Sequence, residues 1–273
     1  MESSKIREPV VAGQFYPSSR EALKKQIESF IDKKTIKSNA IACVLPHAGY
    51  MYSGRVATQT VSSINIKEKI ILLGPNHTGE GAQFSIMTEG IWQTPLGQVR
   101  IDSALANMLL KGSKYLEEDC LAHSFEHSLE VELPILQYFK TDFEIVPIAF
   151  LSDDLRILKT IGEEIAKAIE GSGKKNSITI VASSDMTHYE SQEDAQRKDK
   201  QAIEAILALD EDKLMEKVRR FEISMCGYAP VIVMLKTAKL LGAKSAELIK
   251  YETSGDITGD MDSVVGYSGI VIR

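Results

Sequence analysis

Three short apolar runs do most to limit what this 273-residue chain can fold into, and each runs out at a histidine. IACVLPH ends on His47, KIILLGPNH on His77 and SITIVASSDMTH on His188. Continuous apolar runs of strand length, bounded by Gly, Pro and Ser, read as strands buried on both faces. Amphipathic helical segments lie between them, and that alternation predicts a layered α/β domain. In open α/β sheets, ligands bind in the crevice outside the carboxyl ends of the strands. Imidazoles brought to one rim by separate strands therefore suggest a metal or acid/base site. The competing reading is three unrelated loop histidines, and their shared position after strands weighs against it.

The remaining pattern fills in the same architecture. REALKKQIESFIDKK is helical, with Leu23, Ile27 and Ile31 four apart. A strand up to Leu45 and a helix from about Arg55 to Ser63 follow, then the strand Ile70 to Leu73. The segment from Phe84 to Ile101 alternates and contains the turn TPLGQ, which suggests a hairpin. Helical patterns cover about Ser103 to Leu110 and His127 to Phe139. FEIVPIAF reads as a strand and Asp154 to Ile169 as a long helix. After the strand Ile178 to Ala182 come helices at Ala195 to Ala208, Glu211 to Phe221 and Gly227 to Leu241. AELIKYET and SVVGYSGIVI close the chain as strands. The hairpin and the closing pair make the central sheet mixed, flanked by helices. GSGKKN is short enough to be a plain turn, so a single domain spanning residues 1–273 is expected.

Composition removes several function classes. A net charge of −6 and no lysine-rich run with interleaved aromatics argue against a nucleic-acid partner. No apolar stretch approaches the roughly 18 residues that span a bilayer. MESSKIREPVVAGQFYP lacks the basic-then-apolar order of a signal peptide, so a cytoplasmic location and no membrane association are expected. Three cysteines without a CxxC spacing are no disulfide framework. Cys43 reads as a small core residue, and Cys120 has no evident role. Cys226, in ISMCGYAP at the start of a helix beside a glycine, is the one with chemical neighbours.

His47 and His77 sit in the Gly/Pro-rich loops PHAGYMYSG and GPNHTGEG, where backbone can approach a bound ion closely. Neutral imidazole is the commonest protein ligand for zinc, copper and non-haem iron. Two imidazoles hold such a metal poorly, and Cys226 as thiolate would supply a third, soft ligand. The alternative for Cys226 is a buried helix-start residue. In SSDMTH, Asp185 could orient His188, which could then act as a general base, or Asp185 could cap a helical turn. Phe15, Tyr16, Tyr50 and Tyr52 could wall a pocket or simply pack at a loop base. His123, Glu126 and His127 spell H-x-x-E-H, the inverted zinc-peptidase pattern. That pattern needs one continuous helix, whereas His123 and Ser124 look like loop ahead of a helix beginning near Ser128, and Pro134 would kink or end that helix. Asp256, Asp260 and Asp262 invite a calcium reading but lack EF-hand spacing.

Taken together, AGQFYP, VLPHAGYMYSG, LLGPNHTG, WQTPLG, EHSLEVELP, VASSDMTHY and MCGYAP occur in one order. That series resembles the Memo family, from about Arg7 to Ile272, and in particular the microbial protein B of the AmmeMemoRadiSam set. The family is similar in fold to extradiol (class III) non-haem iron dioxygenases, whose iron is held by two histidines and a glutamate. The resemblance implies that His47 and His77 are the histidine ligands and that Cys226 stands in place of the glutamate. It implies a pocket pair in Asp185 and His188, with His188 at the place of the dioxygenase acid/base histidine. Phe15 and Tyr52 correspond to pocket-lining aromatics, and His127 falls in the family's EHS motif. Fe(II) is the implied metal, with copper as the other candidate. AMMECR1-like and radical-SAM proteins are the implied partners, alongside a small-molecule or peptide ligand; animal members are known as phosphotyrosine-peptide adaptors.

Four functions are then open. A metal-dependent redox enzyme would carry Fe or Cu on His47, His77 and Cys226, with His188 moving protons. A non-catalytic binding module would capture a peptide side chain or anion in the same cleft. Metal sequestration would need affinity without turnover, and the H-x-x-E-H peptidase is the fourth. Replacing glutamate by thiolate puts ring cleavage in doubt, because thiolate is a stronger donor and is itself oxidisable.

Overall fold

The fold was taken from a computed structural model and is described for residues 6–273. The first half comprises β1 (Ile6–Arg7), α1 (Arg20–Phe30), β2 (Ala42–Leu45), α2 (Gly54–Ser62), β3 (Lys69–Pro75), β4 (Phe84–Ile86), β5 (Ile91–Thr94), β6 (Gly97–Ile101), α3 (Ser103–Gly112), β7 (Glu117–Glu118), α4 (Leu121–Ser124) and α5 (Glu132–Phe139). The second half comprises β8 (Glu144–Phe150), α6 (Leu155–Gly171), β9 (Ile178–Ser183), β10 (His188–Glu190), α7 (Gln192–Leu207), α8 (Glu211–Arg220), α9 (Tyr228–Leu240), β11 (Ala246–Thr253), α10 (Ser254–Thr258) and β12 (Val264–Ile272). The strands form one sheet in the order β1-β5-β6-β8-β3-β9-β2-β12-β10, with β11 on β12 and β4 on β8. The sheet is mixed. Parallel pairing joins β6, β8, β3, β9 and β2, whereas β12 runs antiparallel to β2 and β11, and β5 to β6.

This topology puts the three histidine-tipped runs side by side. β3, β9 and β2 are consecutive neighbours and all parallel, so their carboxyl ends open onto one rim. All three are apolar because helices cover both faces, and Ile71, Leu72, Val44 and Val181 are wholly buried. The helices carry the expected signals. Ser19, Asp102, Asp154, Ser191 and Asp210 each accept a main-chain N–H from the first turn of the helix they precede.

Three local readings needed correction. The helix expected from His127 begins instead at Glu132, and Pro134 lies in its first turn, where proline is tolerated and no kink follows. No helix follows Asp185; its carboxylate serves the His47 loop instead, so it is not a helix cap. Asp256, from the aspartate-rich loop, closes a capping box with Thr253 at the start of α10. Among the described residues no helix is long and apolar enough to cross a membrane.

Candidate metal centre

His47 lies two residues beyond β2 and is buried, its loop held down by its own main-chain N–H, which donates to Asp185 Oδ1 at 2.8 Å. Its Nδ1 is 2.7 Å from Ser183 Oγ, at the end of β9, and its Nε2 faces Cys226 Sγ at 3.3 Å. Cys226 also receives the main-chain N–H of Asp185 at 3.2 Å. The cysteine reaches this spot because Gly227 lets the start of α9 press directly on the end of β9. A Cβ on Gly227 would run into the Ser183 carbonyl oxygen.

His77, two residues beyond β3, is anchored differently. Both its main-chain N–H and its Nδ1 bond Glu126, the latter at 2.9 Å. A carboxylate cannot donate, so Nδ1 carries the hydrogen of that bond. Glu126 Oε1 also receives the N–H groups of His127 and Ser128, at 2.9 and 2.8 Å. Burial opposes its charge, but the His77 hydrogen bonds and charge prevail, and its carboxyl is held down at about 2.

The donor atoms of His47, His77 and Cys226 lie within 4.8 Å of one another. A tetrahedral ion with ligands at about 2.0–2.3 Å needs donors separated by roughly 3.5 Å, so small side-chain shifts would let the three close on one cation. Their chemistry suits it. Burial, then the neighbouring His77 and His127, push His47 well below its ordinary range, so it is neutral and available as a ligand. Burial first and Asp185 second push the Cys226 thiol up, so it needs a cation to ionise. His77, Glu126 and His127 form a second cluster that shares His77. In it His127 stacks on His77 at 4.8 Å, 22° from parallel, and Phe15 packs on the His127 ring at 4.8 Å.

The cluster opens into a cavity of about 730 Å³ lined by Phe15, Tyr52, Asp185, His188 and Tyr267 among others. His188 donates from Nδ1 to the Ser224 carbonyl at 2.9 Å, leaving Nε2 as its basic nitrogen. It is therefore Ser224, and not Asp185, that orients the His188 ring. Asp185 is buried beside it with its carboxyl pushed up to about 6; burial causes the rise, and His188 and the N–H groups of His47 and Ala48 oppose it. Tyr189 follows with φ +60 and its side chain exposed at the cavity mouth.

Tyr16 and Tyr50 are buried in the core, whereas Phe15, His47, Tyr52, His77, His127, Asp185, His188 and Cys226 all lie at this rim. His123 does not. It is buried against Trp92, in α4, separated from His127 by non-helical residues, so the H-x-x-E-H helix does not form. Spacing alone missed Glu126 as the partner of His77, and Ser183 and Glu132 behind His47. It also missed how Phe15 is held. Glu130 accepts from Tyr16 Oη at 2.6 Å, from Val10 and Val11 N–H groups, and from Arg7 Nη1 at 2.5 Å. Arg7 and Glu130 are too far apart in the chain for any local pattern to pair them.

The family model described as Memo-like protein matches residues 7–271. A MEMO1 family protein of Methanopyrus kandleri is 42% identical, covering 98% of this chain and 99% of its own. Relatives of the same description from Methanosarcina barkeri and Aquifex aeolicus are 42% and 41% identical, each across 98% of this chain and at least 99% of their own. Matched along nearly its full length, the chain belongs to the Memo-like family.

Proposed function

We propose that this protein is a metal-dependent redox enzyme acting on a small molecule, with its metal on His47, His77 and Cys226. The observation that carries the reading is the convergence of two imidazoles and one thiol, within 4.8 Å, beyond the carboxyl ends of β2 and β3, the two strands that flank β9. One soft and two borderline ligands suit iron or copper, and three protein ligands leave a position open for substrate. A redox-active metal held there would supply one-electron chemistry or dioxygen activation. The protein's own part is to bind and orient substrate in the cavity, between Phe15, Tyr52 and Tyr267, and to move protons through His188 Nε2. A cavity of about 730 Å³ is far larger than an ion needs, which favours a small-molecule substrate over simple sequestration.

Binding of a peptide or anion without turnover is the second reading, favoured by the open mouth and exposed Tyr189. Elemental analysis of protein purified without oxygen separates the two. Iron or copper near one per chain, lost in His47→Ala and Cys226→Ala, supports the redox centre. No metal after reconstitution with Fe(II) and with Cu(I) leaves only the binding role. A cytoplasmic location and association with AMMECR1-like or radical-SAM proteins remain part of the proposal, to be checked by fractionation and co-purification.

A further inference from the structure

Behind His47, Ser183 Oγ has three close neighbours. His47 Nδ1 is 2.7 Å away, the Ser128 carbonyl oxygen 2.8 Å and Glu132 Oε1 2.8 Å. Each approach requires a proton between the two heavy atoms, and a hydroxyl brings only one. The Ser128 carbonyl has none to give, so the Ser183 proton goes there. The other two protons must then come from His47 Nδ1 and from the Glu132 carboxyl. We propose that Glu132 is a neutral acid that, through Ser183, fixes His47 as the Nδ1–H tautomer with Nε2 directed at the metal site.

Other observations agree. Glu132 is wholly buried, and among the described residues its Oε2 has no hydrogen-bond partner and no cation pairs with it. An ionised carboxylate so placed would carry a large desolvation cost, whereas a neutral C=O carries a much smaller one. Burial accordingly pushes the carboxyl well above its ordinary range. The Cys226 thiol, 3.3 Å from His47 Nε2, also finds a lone pair there only in this tautomer. Glu132 and Ser183 are therefore positioning residues, acting on the ligand and not on substrate.

That His47 is a metal ligand rests on the function proposed above, but its tautomer can be read without any metal. The test uses metal-free full-length protein labelled with ¹⁵N-histidine, together with infrared difference spectra against Glu132→Gln. Expected are a protonated Nδ1 and bare Nε2 on His47, and a carboxylic-acid carbonyl band that Glu132→Gln removes. Ser183→Ala should lose the single tautomer and weaken Fe(II) binding about 10-fold or more, with Ser183→Thr restoring both. An Nε2–H tautomer in the wild type, or no acid band, overturns the proposal. If both signatures appear while Fe(II) and Cu(I) fail to bind, the metal reading fails and this one stands.

Discussion

The two sides of the rim hold the same kind of side chain, an imidazole, by opposite means. On the β3 side, His77 is partly exposed and backed by an ionised carboxylate, Glu126, tied down by four hydrogen bonds from His77, His127 and Ser128. On the β2 side, His47 is buried and backed by a hydroxyl, Ser183, with Asp185 holding its main chain. An anionic partner raises the basicity of the ring it holds, whereas a hydroxyl fixes orientation without adding charge. The difference follows hydrogen bonding: Glu126, although buried, receives four N–H groups that stabilise its charge, whereas the Glu132 carboxyl behind His47 meets only the Ser183 hydroxyl. What it teaches is that a strand-end histidine does not by itself reveal how strong a donor it will be.

The largest effect should come from removing a proposed ligand. Cys226→Ala or His47→Ala should abolish stoichiometric metal in folded protein, measured by elemental analysis; retention of full metal would place the ion elsewhere. Next, Glu126→Gln should weaken metal binding by about 10–100-fold, read by competition with a chelator. The same substitution tests the charge asymmetry through pH. A carboxyl at about 2 in the folded state, against an ordinary value of 4.5, gives stability that is complete above about 4.5 and is lost as pH falls towards 2. For a side chain this buried the shift is worth on the order of 3 kcal/mol. Glu126→Gln should therefore flatten the acid limb of the urea-unfolding profile, and an unchanged slope would mean the carboxylate is not held this way.

Smaller effects probe the closed side and the second cluster. Gly227→Ala should cost about 1–3 kcal/mol in thermal or urea unfolding, because the methyl must displace the end of β9. A neutral result would show that α9 can slide without cost. His127→Ala should change metal affinity less than about threefold, since it lies next to the ligand cluster and not in it. A loss as large as that of His47→Ala would move the metal to the His77, Glu126 and His127 group.

Most of the frame was legible in the sequence because it depends on local pattern. The apolar runs ending near Leu45, Leu73 and Ala182 became neighbouring parallel strands, and the long helices lie within a few residues of where periodicity put them. The very short strands were not legible: β1, β7 and β10 are two or three residues long and exist only through their partners. His47, His77 and Cys226 stood out through residue type and position after strands. Their support did not, because Glu126 meets His77 and Ser183 meets His47 across the fold, and neither pairing leaves a periodic trace. His123 and His127 show the converse. Their spacing was a genuine motif, but the intervening backbone is not a helix and they point to different surroundings.

The most direct test of the proposed centre is X-ray absorption of the anaerobically iron-loaded or copper-loaded protein. One sulfur scatterer at about 2.3 Å with two imidazole nitrogens at about 2.0–2.1 Å is expected, the sulfur vanishing in Cys226→Ser. A sphere of nitrogen and oxygen alone in the wild type would contradict it.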